Sequence, residues 1–302
     1  MIGLPAATLD RYRRCSLYNS PFPAHDRGHA VDLYPEGGRR SVAAPSPVAG
    51  TVRDVLSVGA PSRPYAAAED HLVLVDVDAA ASGLRVDRGV RSDGDPGLVA
   101  RVLHVDPAVN PGDRVAVGDA LGRTVRSGFF APWVADHVHL DLRPADRHLR
   151  RASGSLPIAP DVDVEALPWD GTGRVVATGE TYAVLDAPAH PAPGERWVGV
   201  AGAPGVALDG GFPHYGGGGT HAPNERAVDG VALAGTRIGR MAGGGDGRTV
   251  RWRDATVRAN DHRLTGVSLF LARDAFGVKL VSRDGHPFGV GDRVTVRVDP
   301  TG

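Results

Sequence analysis

The chain has 302 residues and a formal net charge of −1. That is long enough for two domains with cores of their own, and too nearly neutral to argue for nucleic acid or an anionic membrane surface as a partner. With 41 Gly and 24 Pro punctuating short runs of Val and Leu, and no long helical periodicity, the composition predicts a mainly β protein.

Cys15 is the only cysteine, so no internal disulfide can form and a metal site must draw on His, Asp or Glu. The opening MIGLPAATLDRYRRC has no apolar run of signal-peptide length, and no later segment is long enough to span a bilayer. A cytoplasmic protein is the default expectation, with export by another route left open. Residues 1–20 read as an N-terminal extension carrying a short helix.

SPFPAHDRGHAVDLYP, residues 20–35, is a Pro- and Gly-broken loop leading into a strand at Ala30 to Tyr34. It brings His25, Asp26, His29 and Asp32 close together, a composition equally at home in a solvated turn or a ligand-donating loop. SVAAPSPVAGTVRDVLSV follows, with a bend or tight turn at Gly50, and then the strand HLVLVDV at His71 to Val77. The Asp- and Gly-rich segment 79–97 reads as an exposed excursion. In LVARVLHVDPAVNPGDRVAVGDALGRTV, His104 stands inside an apolar strand, where a histidine is more often a satisfied core residue than a ligand.

The first half closes on Asp136-His137-Val138-His139-Leu140-Asp141-Leu142. Period-2 geometry puts His137 and His139 on one face of a strand and Val138 and Leu140 on the other, so two imidazoles address one site. RPADRHLRRASGSLPIAP then loses alternation and reads as a linker over 149–161.

From residue 162 to 302 a second β domain is expected. GRVVATG, TYAVLD, RWVGVAG, TVRWRDATVRA, GVSLFLARD, GVKLVSRD and DRVTVRVD are short strands separated by turns, as in a barrel or sandwich. Its GGFPHYGGGGTH, carrying His214 and His221, reads as a flexible loop rather than an active-site lid, and lacks the Gly-Lys-Ser/Thr ending of a phosphate loop. GVGDRVTV at 289–296 echoes PGDRVAVG at 111–118, but one repeated turn does not make a domain duplication.

Six of the twelve histidines fall in the first 140 residues. A His, an Asp and a second His can hold a catalytic zinc with one position open, and two further histidines beside it can deprotonate a water and stabilise an oxyanion. Here the residues carry a resemblance. In order over about residues 20–145, HAVDLYP, AAPSPVAGTV, VLHVDPAVNPGDRVAVGDALG and DHVHLDLRP resemble the four segments of the LytM/lysostaphin-type zinc metallopeptidases, a duplicated-hybrid-motif β fold.

The resemblance implies a β sandwich or barrel over residues 20–148. It implies Asp32 and His139 as Zn2+ ligands, His137 as general base, and His104 as its partner in activating water and stabilising the transition state. It implies attack of a zinc-bound water on a peptide or peptidoglycan-like amide. The family places its first ligand four residues before the aspartate, a position held here by Gly28. His29, three before Asp32, and His25, seven before it, are the two candidates for the third ligand; neither shares an ideal strand face with Asp32, but a bend at Gly28 or a loop conformation at His25 could present an imidazole to the metal.

Two other readings compete. A lipoyl or biotinyl carrier resembles the same APSPVAGTV segment but needs a lysine on an exposed hairpin, and the only lysine is Lys279. A catalytically inactive relative would use the β groove only to bind peptide or glycan.

Overall fold

The computed structural model describes residues 1–37, 41–90, 96–222, 228–243 and 247–301. The protein is nearly all β. Among the described residues the helical turns are Ala6–Leu9 and the 3-10 turn His25–Arg27, and no helix is long and apolar enough to cross a membrane. Two compact units are present, one formed by Met1–Cys15 with Phe22–Val162 and the other by Ser16–Pro21 with Asp163–Gly302.

The N-terminal unit is built on an antiparallel sheet of six strands, to whose first strand Tyr12–Ser16 also pairs. Its spatial order is Ala30–Pro35, Val138–Pro144, Leu98–Leu103, Asp70–Val77, Gly50–Val58 and Arg114–Val115. Register explains why the strands read as they do. Val31, Leu140, Val102 and Val73 stand opposite one another across four strands, and all four are fully buried. Side chains one position along project to the opposite face, so Asp32 lies directly across from His139, and His139 from Leu103. In the next row on that face Asp141 stands opposite Arg101. The apolar row contributes about 1.5–3 kcal/mol per side chain, and a one-residue slip would put the charged row into the apolar layer in its place.

Two smaller sheets complete this unit. Ala120–Thr124 pairs with Ala43–Pro45 and with Val105–Pro107. Ile2–Pro5 lies between Ile158–Asp161, to which it runs parallel, and Arg85–Val86. The expected extension at 1–20 and the expected linker at 149–161 therefore differ from what forms, because the buried side chains of Ile2, Leu4 and Ile158 give these short segments a core face that lack of alternation concealed. The excursion at 79–97 contributes Arg85–Val86 to this sheet; its residues 91–95 lie outside the described residues.

In the C-terminal unit most of the expected strands form around a core that includes Val175, Val200, Leu208, Phe212, Trp252, Leu269 and Val296. TVRWRDATVRA divides into Thr249–Trp252 and Ala255–Ala259. The Gly-rich segment is a correction: it is a buried hairpin, Val206–Phe212 paired with Gly217–His221, and not a flexible loop. Its glycines let aromatic rings approach the backbone closely. A Cβ on Gly218 would fall 2.0 Å from the Trp252 ring, and one on Gly219 2.1 Å from the Tyr18 ring. His221, expected on that loop, is buried with its Nε2 3.1 Å from Asp209, which also accepts from the Leu17 N–H at 2.7 Å and from the Ser16 hydroxyl.

Candidate metal centre

Three elements deliver side chains to one face of the N-terminal sheet. Asp32 and His139 face each other across paired strands, and Asp32 Oδ1 lies 3.0 Å from His139 Nδ1. His25 arrives from the 3-10 turn His25–Arg27. That turn closes with Gly28 in the left-handed region, φ 64°, and the His29 N–H donates to the Ala24 carbonyl at 2.7 Å. Glycine adopts this conformation without the cost a side chain incurs, and the reversal carries the His25 ring over the strand that follows. His25 Nε2 then lies 3.2 Å from His139 Nδ1 and 3.3 Å from Asp32 Oδ1.

The three donor atoms thus form a triangle with sides of 3.0, 3.2 and 3.3 Å. Two imidazole nitrogens and a carboxylate oxygen are a donor set that zinc accepts. Bonds of about 2.0–2.1 Å in tetrahedral geometry put neighbouring donors about 3.3–3.4 Å apart, so the triangle has the dimensions of one face of such a site. His25, Asp32 and His139 are the group among the described residues whose ligand atoms converge in this way.

His29, the other candidate, is not part of the triangle. Its Nδ1 donates to the Ser155 carbonyl at 2.7 Å, so its ring is committed elsewhere. The odd spacing that disqualified both histidines on an ideal strand is circumvented at His25 because the chain between His25 and Asp32 is not all strand.

His137 and His104 stand beside the triangle. His137 Nε2 is 3.3 Å from Asp32 Oδ1, while its Nδ1 donates to the Ala135 carbonyl at 3.0 Å. The His104 ring lies edge-on, its centroid 5.3 Å from that of His137 and 5.9 Å from that of His139. Phe130 stacks on His137 at 4.3 Å and meets His104 edge-on at 4.7 Å. The loop bearing Phe130 is held by Arg126, whose guanidinium donates to the carbonyls of Ala131 at 3.2 Å, Pro132 at 3.1 Å, and Val134.

His104 was expected within a strand. Instead it sits between Leu98–Leu103 and Val105–Pro107 with φ 68°, a conformation that costs a side-chain-bearing residue about 1 kcal/mol or more. The strain turns the ring into the site. His104→Gly should therefore be more stable to urea than His104→Ala by about 1 kcal/mol, although both lose the ring. Equal midpoints, or the reverse order, would show that the backbone there carries no strain.

Charge in the cluster is set by burial against close partners. Burial alone pushes the Asp32 carboxyl up, but His137 and His25 outweigh it and hold the group well below the usual carboxylate range. Burial lowers His139, yet bonds to Asp141 and Asp32 carry it to about 9. His104 is held below its ordinary value by burial, offset in part by Asp70.

Three acidic partners were not singled out from sequence. Asp141 Oδ2 lies 3.4 Å from His139 Nε2 and also binds Arg101 at 2.5 Å, while its Oδ1 accepts from Arg143 at 3.1 Å. Asp70 Oδ2 accepts from His104 Nδ1 at 2.6 Å. Asp136 pairs with Arg126 at 3.4 Å. Asp141 and Asp136 occupy the polar positions of an alternating strand and its approach, and Asp70 precedes an apolar one; sequence gives no sign that these carboxylates are buried.

Two family models match the chain. The domain of unknown function (DUF8155) N-terminal domain covers residues 3–160, and the DUF8155 C-terminal domain covers residues 165–299. No curated protein matches it.

Proposed function

The chain belongs to the DUF8155 family, and we propose that its N-terminal domain is a zinc-dependent amide hydrolase acting on a peptide or peptide-like substrate. The observation that carries this reading is the buried donor triangle of His25, Asp32 and His139 with two further imidazoles beside it. The order of these residues along the chain resembles that of the LytM/lysostaphin-type metallopeptidases, with the first ligand supplied from a turn instead of a strand.

A zinc ion held by these three groups supplies Lewis acidity toward a carbonyl oxygen and toward water at neutral pH. The remaining work falls to the chain. His137 commits its Nδ1 proton to the Ala135 carbonyl and turns Nε2 toward Asp32 Oδ1, 3.3 Å away, and His104 commits its Nδ1 to Asp70, so on both rings Nε2 is the nitrogen that exchanges a proton with water, substrate or leaving amine. Phe130 packs on both rings and keeps water from their faces, so charge that develops near them is little screened.

The test is metal analysis of the purified protein together with hydrolysis of a panel of peptide amides. Stoichiometric zinc is expected, with turnover lost on zinc removal and reduced on the order of 10²-fold or more by His137→Ala. A wild type that takes up no zinc would sink the reading. Zinc-loaded wild type that binds peptides without cleaving them would assign the groove to recognition instead.

A further inference from the structure

We propose that Asp70 is a positioning residue that fixes the proton of His104 on Nδ1, so that Nε2 of that ring is the nitrogen presented as a base; its catalytic meaning rests on the hydrolase reading above. Asp70 is fully buried at the start of the strand Asp70–Val77. Its carboxylate faces three donors. Oδ2 takes His104 Nδ1 at 2.6 Å and the Ser127 hydroxyl, while Oδ1 takes the His71 N–H at 2.7 Å.

An ionised carboxylate only accepts hydrogen bonds. His104 Nδ1 must therefore donate, and in the neutral ring the unprotonated nitrogen is Nε2. The main chain at His104 is held as well. The His104 N–H donates to the His71 carbonyl at 3.3 Å, and the His104 carbonyl accepts from Val125 at 2.8 Å. Main chain on either side of His104 is thus pinned while its φ of 68° aims the side chain.

The same geometry makes Asp70→Asn an unusually direct test. The His71 N–H sits one bond from Asp70 and requires an acceptor, so the amide oxygen of the asparagine takes that place and its NH2 takes the place of Oδ2. The NH2 then donates to His104 Nδ1, which must become an acceptor, and the ring proton moves to Nε2. Ser127 accommodates the swap by rotating its hydroxyl from donor to acceptor. Shape is conserved and the tautomer is inverted.

Two-bond proton–nitrogen correlation spectra of uniformly 15N-labelled protein, with and without zinc, read this directly. Wild type should show His104 with Nδ1 protonated and Nε2 bare. Asp70→Asn should show the reverse, with zinc content unchanged and amide hydrolysis reduced on the order of 10²-fold. Ser127→Ala, which removes a different donor to the same carboxylate, should keep the wild-type tautomer.

A wild type carrying the His104 proton on Nε2 would overturn the proposal, even if Asp70→Asn failed to fold. So would an Asp70→Asn spectrum unchanged from wild type. Failure of the hydrolase reading is separately visible: wild type lacking zinc and turnover but with Nδ1 protonated would leave Asp70 fixing His104 in a site of another chemistry.

Discussion

Alanine at His25 is expected to abolish stoichiometric zinc uptake, and alanine at His29 to leave it intact. The two histidines are four residues apart, and sequence alone left both as candidates. The structure separates them by where their rings go: His25 Nε2 reaches His139 and Asp32, whereas His29 Nδ1 is spent on a main-chain carbonyl. Loss of groups that merely support a ligand costs about 10–100-fold in metal affinity, so removal of a ligand should cost at least about 100-fold. Equilibrium dialysis against a competing chelator measures it. Full zinc in His25→Ala would contradict the geometry, and loss in His29→Ala alone would transfer the ligand role to His29.

The largest expected loss of stability belongs to Asp141→Ala. Asp141, Arg101 and Arg143 are 1%, 6% and 0% exposed, and the single carboxylate serves both guanidiniums, the Ser155 hydroxyl and His139. Removing one partner of a buried ion pair leaves uncompensated charge, at about 3–5 kcal/mol, and here two cations lose the same counterion. Chemical denaturation should show that loss, and a change below about 1 kcal/mol would mean that water or other groups already solvate the arginines.

A pH signature accompanies it. Burial raises the Asp141 carboxyl, but the His139 bond, Arg101 and Arg143 overcome this and hold it at about 2, below its ordinary 3.8. A group depressed on folding stabilises above its unfolded pKa and loses that contribution as pH falls through the folded value. Just under two units corresponds to about 2 kcal/mol, present in wild type above about pH 4 and gone below about pH 2. Asp141→Asn should lack this part of the acid transition. An acid profile that parallels wild type would exclude the assignment.

How far the sequence could be read depends on what kind of signal each residue gives. Alternation in DHVHLDLRP is a local property, so the convergence of His137 and His139 on one site was legible without knowing the neighbours, although His137 lies just ahead of the strand Val138–Pro144. Asp32 and His104 were legible only through a resemblance in order, because each reaches the site by pairing with a different strand. His25 was half legible: a bend at Gly28 was a foreseeable way to deliver an imidazole, but the choice between His25 and His29 depends on the turn that Gly28 closes at φ 64°, and a lone glycine in a loop does not announce its φ. Asp70 and Asp141 were invisible for another reason. A carboxylate at the end or on the polar side of a strand looks solvated until the sheet order shows a layer above it. The Gly-rich hairpin misled because glycine is read as freedom, whereas Gly218 and Gly219 are there to make room for Trp252 and Tyr18 rings.

The parallel pairing of Ile2–Pro5 with Ile158–Asp161 also sets an order of events during synthesis. Ile2–Pro5 has only Arg85–Val86 to pair with until nearly the whole N-terminal domain has been made, and closing so long a loop is slow relative to forming neighbouring hairpins. During synthesis the apolar side chains of Ile2 and Leu4 should therefore lack the cover of Ile158–Asp161 until residue 158 has emerged. Translation pauses before that point would lengthen the interval in which this edge is open to chaperones, proteases or another nascent chain.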